Sequence, residues 1–376
     1  MRDVVVTGIG IVSCAGEGID AHLSALQSGA EPPVNAETYA PFLVHPVVPL
    51  DYDRQIAKKS DQRQMEPWQR LGCYAAGLAL ESAGAKDDAA LKGRMQLIVS
   101  AGGGERDYAV DGQILTGIRQ AQNPGVFLNE RLMGDLRPTL FLAQLSNLLA
   151  GNISIVHGVT GASRTFMGEE SSGVDAIRIA QARIAAGQAD IVLVGGAYNA
   201  ERPDVLLIYE MGGFLWKKPY RPVWERPSEG GGFVLGSGAS FLVLESRDHA
   251  AARGAKALAA IPAVAADRSR REPGSVSKAL TALWADLDAS PGATILSGAT
   301  GVAGITEEER EALQRLAPGG KVHAVGDVIG HTLEAQAASG VALAAALVAG
   351  GQSDEAVVTS VGHWRGEGAV RVTKAG

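Results

Sequence analysis

Cysteine is scarce in this chain of 376 residues, and an excess of basic charge and long apolar runs are missing from it. Only Cys14 and Cys73 are present, so the sequence predicts neither a disulfide framework nor a cysteine-based metal cluster. Two lone thiols are typical of a reducing compartment, and the cytoplasm is the expected location. The longest apolar stretch, from Val341 to Gly351, is far shorter than the roughly 20 residues of a membrane span. We therefore expect no segment that crosses a bilayer.

The charge balance is mildly acidic, since 34 Lys and Arg residues stand against 41 Asp and Glu, a net charge of -7. This balance argues against a nucleic-acid binder and against a polybasic membrane-surface protein. An apolar share of 46% supplies a full core and excludes intrinsic disorder. The N-terminal apolar run is broken early by Gly8 and Gly10, so no signal peptide is expected.

Short apolar runs alternate with Ala-rich helical stretches along the whole chain. The runs of strand length cover residues 4–8, 96–102, 190–197, 239–245 and 356–362. Apolar residues at helical spacing predict helices over residues 68–83, 173–186 and 307–316. The alternation indicates an α/β protein whose parallel sheets are covered by helices on both faces. No linker rich in Pro, Ser or charge divides the chain, and residues 247–253 are the one plausible joint.

Several familiar catalytic motifs are absent from the sequence. It has no P-loop, HExxH, CxxC or GxSxG motif, which removes support for nucleotide hydrolysis, zinc proteolysis and α/β-hydrolase chemistry. The run GIGIVS at residues 8–13 is similar to a dinucleotide fingerprint, but Ser13 occupies the third glycine position. We therefore expect a glycine-rich strand exit there, and the sequence predicts no cofactor and no metal site.

The most informative segment lies between residues 147 and 199, where small and polar residues recur at fixed spacing. It combines N-x-x-A-G-x-x-S-x-x-x-G-x-x-G with S-S-G, a helix and G-x-A-D-x-x-L-x-G-G. The matching residues are Asn147, Ala150, Gly151, Ser154, Gly158, Gly161, Ser171, Ser172, Gly173, Gly187, Ala189, Asp190, Leu193, Gly195 and Gly196. This segment resembles the β-ketoacyl-acyl-carrier-protein synthases, the ketosynthases, which are condensing enzymes of the thiolase fold.

Four further blocks resemble the same family in the same order, so the resemblance covers essentially the whole chain. They are the opening VVVTGIGIVS and residues 57–84, 230–259 and 330–340. The resemblance implies an α/β thiolase fold, in which two duplicated βαβαβ-type halves form a five-layer α-β-α-β-α arrangement. We expect the halves to be residues 1–246 and 247–376, and we expect the chain to dimerise.

The residues that carry the family's chemistry are mostly replaced in this sequence. Where the family has a nucleophilic cysteine, just before S-S-G at the start of a buried helix, this chain has Glu170. The family's first histidine aligns with Gly298 and its lysine with Gly326, whereas its second histidine is retained as His331. The Phe that gates the acyl pocket from the C-terminal loop corresponds to Val361.

Glu170 and His331 are therefore the candidate site residues, and each has two interpretations. An acylated Glu170 would be a mixed anhydride, far more labile than a thioester, so the carboxylate is a poor replacement for a thiolate. It can instead satisfy free N–H groups at the start of its helix. His331 can stabilise an enolate oxygen or can simply pack against backbone at a turn. Glu169 is expected to be paired or capping, because adjacent helix positions point in different directions.

A basic stretch that contains Lys58, Lys59, Arg63 and Arg70 resembles the family's docking side for acyl carrier protein. The alternative is a solvated approach to a helix. Our leading hypothesis is a chain-length-factor-like subunit that lacks a nucleophile and pairs with an active ketosynthase in fatty-acid or polyketide-type synthesis. Pairing with itself is the other possible assembly. The alternatives are a malonyl-carrier-protein decarboxylase and an active 3-oxoacyl synthase that uses non-standard residues.

Overall fold

The computed structural model describes residues 2–136, residue 140 and residues 144–376. The strands are β1 (Val4–Ser13), β2 (Gly16–Glu17), β3 (Val44–His45), β4 (Gln96–Ser100), β5 (Ser163–Phe166), β6 (Ile191–Tyr198), β7 (Leu235–Gly236), β8 (Gly238–Ser246), β9 (Ala259–Arg270), β10 (Thr294–Ser297), β11 (Val322–Ala324), β12 (Glu355–Val361) and β13 (Arg365–Thr373). The helices are α1 (Ile19–Ser28), α2 (Lys59–Gln64), α3 (Pro67–Ser82), α4 (Ala89–Arg94), α5 (Tyr108–Gly117), α6 (Pro124–Asp135), α7 (Leu148–His157), α8 (Glu169–Ala185), α9 (Pro203–Met211), α10 (Arg247–Ala252), α11 (Ser275–Leu287), α12 (Ile305–Leu316), α13 (Gly326–Ile329) and α14 (Gln336–Ala349). None of the helices over these residues has the length and apolar character that a bilayer crossing demands.

The main sheet contains the same strand arrangement twice. Its order is β11-β10-β12-β13-β9-β1-β8-β6-β4-β5, with β2 pairing beside β1. From β1 onward, β1, β8 and β6 pair antiparallel, and β6, β4 and β5 pair parallel. From β9 onward, β9, β13 and β12 pair antiparallel, and β12, β10 and β11 pair parallel. The repeated order and direction confirm the two duplicated halves, which meet where Val5 and Val6 pair with Ala260 and Ala259.

Helices fill the space between the two half-sheets and cover their outer faces. In the middle layer, Ile177 of α8 and Val341 of α14 share one core with Val194 of the first half-sheet and Val358 of the second. Helices α3 and α7 pack on the outer face of the first half-sheet. Helices α11 and α12 pack on the outer face of the second. The layers run helix, sheet, helix, sheet, helix, so the five-layer prediction is confirmed.

The two helices of the middle layer, α8 and α14, differ in how apolar their sequences are. Helix α14 reads QAASGVALAAALVA, and a helix that is apolar on every side requires protein all around it. Helix α8 begins with the polar residues EESS and becomes apolar only after Gly173. Its first turn therefore brings polar groups to the edge of the core, and the candidate site forms there.

Two expectations about these elements need correction. The sheets were expected to be parallel, but β1, β8, β9 and β13 pair antiparallel with their neighbours. An unbroken apolar run reports burial on both faces and carries no signal of strand direction. The central helix was expected to begin at Gly173, but α8 begins at Glu169. Its polar first turn has no apolar periodicity and so could not be recognised from the pattern.

The expected joint between the halves falls on a short helix. Residues 247–252 form α10, which leads from β8 of the first half-sheet to β9 of the second. Ser246 caps this helix, because its side chain accepts a hydrogen bond from the backbone N–H of His249. The division of the chain into domains at residues 246 and 247 stays a prediction.

The close packing of β1 on α3 yields a first prediction. A Cβ atom added at Gly10 would lie 2.0 Å from the carbonyl oxygen of Ala75 and 2.5 Å from the backbone nitrogen of Ala79. We expect Gly10→Ala to lower the free energy of unfolding by about 1–3 kcal/mol, since neither backbone can move aside cheaply. The measurement is equilibrium denaturation in urea.

The matched control for this prediction is Gly134→Ala. Gly134 lies within α6 and a Cβ there would meet no heavy atom within 4 Å. This variant should retain its stability or gain up to about 1 kcal/mol from higher helix propensity. Equal losses of stability in the two variants would show that contact with α3 is not the cause.

Candidate functional site

Glu170 lies in the first turn of α8 and is almost completely enclosed. Its exposure is 2%, although an ionised carboxylate without partners is among the costliest groups to bury. Strand β5 ends at Phe166, and α8 begins at Glu169, whose φ of 56° is unusual for a residue with a side chain. The free N–H groups of this helix end favour negative charge. The turn therefore holds Glu170 in the core at a favourable end of the helix.

Two imidazoles from distant parts of the chain donate to the same oxygen of Glu170. The Nε2 atom of His331 lies 2.7 Å from Oε1, and the Nδ1 atom of His363 lies 2.8 Å from it. His331 follows α13, and His363 lies in the connection between β12 and β13. The structure thus brings together the two predicted residues and a third, His363, that the sequence analysis did not propose.

The charges of this cluster support one another. Burial alone would raise the pKa of Glu170, but the charge of His363 and the hydrogen bonds from both imidazoles outweigh it and hold the pKa below its usual range. Burial alone would lower the pKa of His363, yet the carboxylate of Glu170 raises it above its usual value. An ionised glutamate that faces a protonated His363 is therefore the favoured state at the low end of the neutral range.

Aromatic rings close the cluster from the side of α9 and β7. The ring of Phe233 lies 5.0 Å from that of His331 and 5.4 Å from that of His363, measured between centroids. Phe214 and Tyr209 contact the ring of His363 edge to face, at 4.7 and 5.3 Å. The Nδ1 atom of His331 is buried and has no hydrogen-bond partner among the described residues. These rings therefore pack against both imidazoles that bind Glu170.

Glu169 stands beside the cluster but remains partly exposed. Its Oε1 atom accepts a hydrogen bond from the hydroxyl of Tyr209 at 3.0 Å and lies 3.8 Å from Nε2 of His363. The expectation of a paired residue is therefore met by Tyr209. Glu169, Glu170 and His363 offer ligand atoms that lie within 4.8 Å of one another, close enough to hold a metal ion. A cation there would have to displace imidazole protons from Glu170, and the predicted lack of a metal or cofactor stays a prediction.

A cavity of about 470 Å³ opens next to Glu169. Its walls include Trp68, Met167 and Ile208, and also the polar residues Tyr198 and Glu334. Glu334 follows His331 by three positions in the chain and is also buried. The cavity therefore lies against the Glu170 cluster and has both apolar and charged walls.

Both cysteines are buried thiols in other surroundings. Cys14 lies just after β1, where its Sγ donates to the carbonyl oxygen of Val328 at 3.5 Å, and burial raises its pKa to about 12. Cys73 lies within α3 on its buried side, where burial also raises the pKa of its thiol. Neither thiol lines the cavity beside Glu169. A thiolate is therefore disfavoured at both positions.

The remaining residues predicted from the sequence lie away from Glu170. Ser360 approaches the backbone oxygen of Glu170, whereas Val361, the next residue, is directed to the opposite face of the sheet and packs in the core below α11 and α12. Lys58, Lys59 and Arg63 are exposed around α2, and Lys59 pairs with Asp53 at 2.6 Å. Their roles in binding stay predictions.

The position aligned with the family's first histidine has no room for an imidazole. A Cβ at Gly298 would lie 2.7 Å from the carbonyl oxygen of Thr359. His363 contributes the second imidazole of the cluster from a different segment. The sequence signal for it was slight, since His363 lies two residues beyond Val361 in the loop already singled out.

Sequence comparison with known proteins finds similarity to beta-ketoacyl synthases. Residues 1–250 match the family model described as beta-ketoacyl synthase, N-terminal domain. The 3-oxoacyl-[acyl-carrier-protein] synthase 2 of Vibrio cholerae is 28% identical over 319 residues, which are 82% of this chain and 71% of that enzyme. With its counterparts from Vibrio harveyi and Rhizobium meliloti the match spans only 60% and 63% of the relative's length.

Solved structures show the same fold along the whole chain. A chain of the ishigamide ketosynthase/chain length factor superposes with a TM-score of 0.82 at 20% identity, and the match covers 100% of both chains. A chain from a type II polyketide ketosynthase in complex with its acyl carrier protein superposes with a TM-score of 0.78 at 18% identity, again over 100% of both. The predicted thiolase fold is thereby confirmed.

The pair of Glu170 and His363 should make stability depend on pH. Because the pKa of Glu170 is lowered, its contribution is full above the unfolded value of about 4.3 and is lost as the pH falls through the lowered pKa. Because the pKa of His363 is raised, its contribution is full below the unfolded value of about 6.5 and is lost as the pH rises through the raised pKa. The Tm difference between wild type and Glu170→Gln should therefore peak between about pH 4.3 and 6.5 and shrink toward pH 9.

Asp175→Asn is the control for this pH profile. Asp175 is buried in the same helix and binds Arg178 and Arg268, which keep their charge over this range. Its Tm difference should stay level from pH 6.5 to 9. Thermal unfolding at each pH measures both variants. If the Tm differences of Glu170→Gln and Asp175→Asn change with pH in parallel, the proposed coupling of Glu170 to His363 is contradicted.

Proposed function

We propose that this chain, which belongs to the beta-ketoacyl synthase family, is a partner subunit without a nucleophile for an active ketosynthase in fatty-acid or polyketide-type biosynthesis. The family supports that pathway class, since its relatives include 3-oxoacyl-[acyl-carrier-protein] synthases and polyketide beta-ketoacyl synthases. A ketosynthase/chain length factor shares the fold. The two free cysteines also suit a cytoplasmic location.

The observation that carries the proposal is the state of Glu170. By resemblance, this position corresponds to the cysteine that holds the acyl chain in condensing enzymes. The carboxylate is 2% exposed, its pKa is lowered, and both imidazoles donate to the same oxygen. A carboxylate stabilised in this way is a poor nucleophile, and its acyl product would be a labile anhydride.

The same contacts weigh against decarboxylation. Loss of carbon dioxide from a malonyl thioester creates an enolate oxygen, which needs hydrogen-bond donors aimed at it. The donors that could serve, Nε2 of His331 and Nδ1 of His363, are already bound to Glu170. An enolate would have to compete with an ionised carboxylate for both of them. The decarboxylase alternative therefore requires Glu170 to leave the cluster.

The face that we assign to the partner ketosynthase surrounds the free edge of β5. This strand ends the sheet and, in the described residues, pairs only with β4, so its outer backbone groups can accept another strand. Met167 follows the strand, and Leu207 and Met211 lie one turn apart on α9; these three side chains are 65%, 60% and 81% exposed. An apolar face beside an open strand edge favours a protein partner.

We assign acyl carrier protein to the basic surface at α2. Lys58 and Arg63 are exposed there, and a local positive surface can attract an acidic protein despite a net charge of -7. Lys59 contributes less, because Asp53 already neutralises it. The division into residues 1–246 and 247–376 is part of the same proposal, and both the partner face and α2 belong to the first unit.

The first test of this function is carbon dioxide release from malonyl-carrier protein. The wild-type chain should release no more than the double variant Glu170→Gln, His331→Ala. Intact mass spectrometry after incubation with acyl-carrier protein should also find no covalent acyl adduct. Release above that of the double variant would favour a decarboxylase, and an adduct at any residue would favour an active synthase.

The second test concerns the partner face. Leu207→Glu should weaken assembly with the partner ketosynthase by at least about tenfold, since a carboxylate would be buried in an apolar contact. Val322→Glu is the control, because Val322 is also exposed but lies on β11 at the far end of the sheet. Light scattering after co-expression with the native partner measures both. Unchanged assembly in Leu207→Glu would exclude this face.

A further inference from the structure

The cavity beside Glu169 is unlike a channel for an acyl chain. An apolar tail is bound best by continuous apolar walls. Here the apolar side chains of Trp68 and Ile208 form only part of the wall, and Tyr198, Arg202 and Glu334 form much of the rest. The volume of about 470 Å³ suits a compact molecule. The charges of the wall decide which kind of molecule it is.

The cationic side chains at this cavity are already neutralised. Arg202 binds Asp204 through two hydrogen bonds, one of 2.9 Å between Nε and Oδ1 and a second through Nη2. The same carboxylate accepts from the hydroxyl of Tyr108 at 2.7 Å. Arg106 binds Asp111 in the same bidentate way, at 2.6 and 3.0 Å. An anionic ligand would have to compete with these carboxylates.

Two buried oxygen atoms at the cavity have no donor in the described part of the chain. Glu334 is 4% exposed, yet its Oε2 atom has no hydrogen-bond partner among the described residues. The hydroxyl of Tyr198 is also buried and also has no partner there. Burial first, and then the nearby charges of Glu169 and Glu170, raise the pKa of Glu334 to about 7. A buried acceptor without a donor is costly, and a bound cation would supply the donors.

We propose that this cavity binds an organic ammonium ion, with its N–H groups donating to Oε2 of Glu334 and to the hydroxyl oxygen of Tyr198. Glu169, at the same cavity, adds a second negative charge. The apolar body of the ligand lies against Trp68 and Ile208. Among the described residues, the ligand atoms close enough together to hold a metal ion belong to Glu169, Glu170 and His363. Glu334 is outside that group, so its free oxygen suits a ligand larger than a metal ion.

This site does not depend on the partner-subunit function. A subunit that assembles with a ketosynthase could carry it, and so could an enzyme. The binding experiment below uses the chain alone and reads no activity and no assembly. Its failure therefore leaves the proposed function untouched, and failure of that function leaves the ammonium site untouched.

The test compares three probes of one shape and different charge by calorimetric titration of the full chain near neutral pH. Benzylammonium should bind with saturation, whereas benzyl alcohol and benzoate should bind at least about tenfold more weakly. Stronger binding of benzoate, or equal binding of all three, would overturn the proposal. Because this comparison needs only the wild-type chain, it decides the matter even if a variant fails to fold.

Variants then locate the bound ammonium. Glu334→Gln keeps the shape of the side chain and should weaken benzylammonium binding by about tenfold or more. Tyr198→Phe should weaken it by a smaller factor. Glu309→Gln is the control, because Glu309 is also fully buried with a pKa raised to about 7 by burial, but it binds Ser297 and Thr359 in the other half. The proposal is overturned if Glu334→Gln binds benzylammonium with unchanged affinity. It is also overturned if Mn²⁺ displaces benzylammonium from that variant, since the cation would then lie at the Glu170 cluster.

Discussion

The carboxylate of Glu170 is the constraint on which the site depends. A charge at 2% exposure is tolerable only because two imidazoles and the end of a helix stabilise it. Each of these supports comes from a different part of the chain: α8, the turn after α13 and the connection from β12 to β13. The carboxylate thereby fixes these three segments against one another. It also consumes the donors that a condensing or decarboxylating site would direct at substrate.

How much of this site could be predicted from the sequence varies from residue to residue. Glu170 and His331 could be predicted, because each stands at a fixed offset within a recognisable sequence block. His363 was not, because its pairing with Glu170 arises only when the hairpin of β12 and β13 is placed beside α8. Period-two alternation along β12 could have separated Ser360 from Val361, since successive side chains of a strand face opposite sides. The loop was instead interpreted as the site of a lost phenylalanine.

The fold shows the same division between local and tertiary information. The strands around residues 4–8, 96–102, 190–197, 239–245 and 356–362 are all present, because buried strands need unbroken apolar runs. β9 and β13 were not proposed from the pattern; β9 carries an exposed or half-buried residue at every position after Ile261. The predicted strand direction was wrong because an apolar run reports burial and carries no information about direction. Duplication became visible only in the repeated order of the two half-sheets.

Glu334 lies between the Glu170 cluster and the cavity, and the two sites differ in the hydrogen-bond donors available to their carboxylates. Around Glu170 the negative charge is matched by two imidazole donors. Glu334 lies three residues after His331, and its Oε2 atom is buried without a donor among the described residues. The charges of Glu169 and Glu170 make its ionisation harder. Met167 and Ile208 line the cavity and are also 65% and 61% exposed beside the open edge of β5. A partner seated on that edge would cover the mouth of the cavity. It would remove water from Glu334 and so increase the need for a cation beside it.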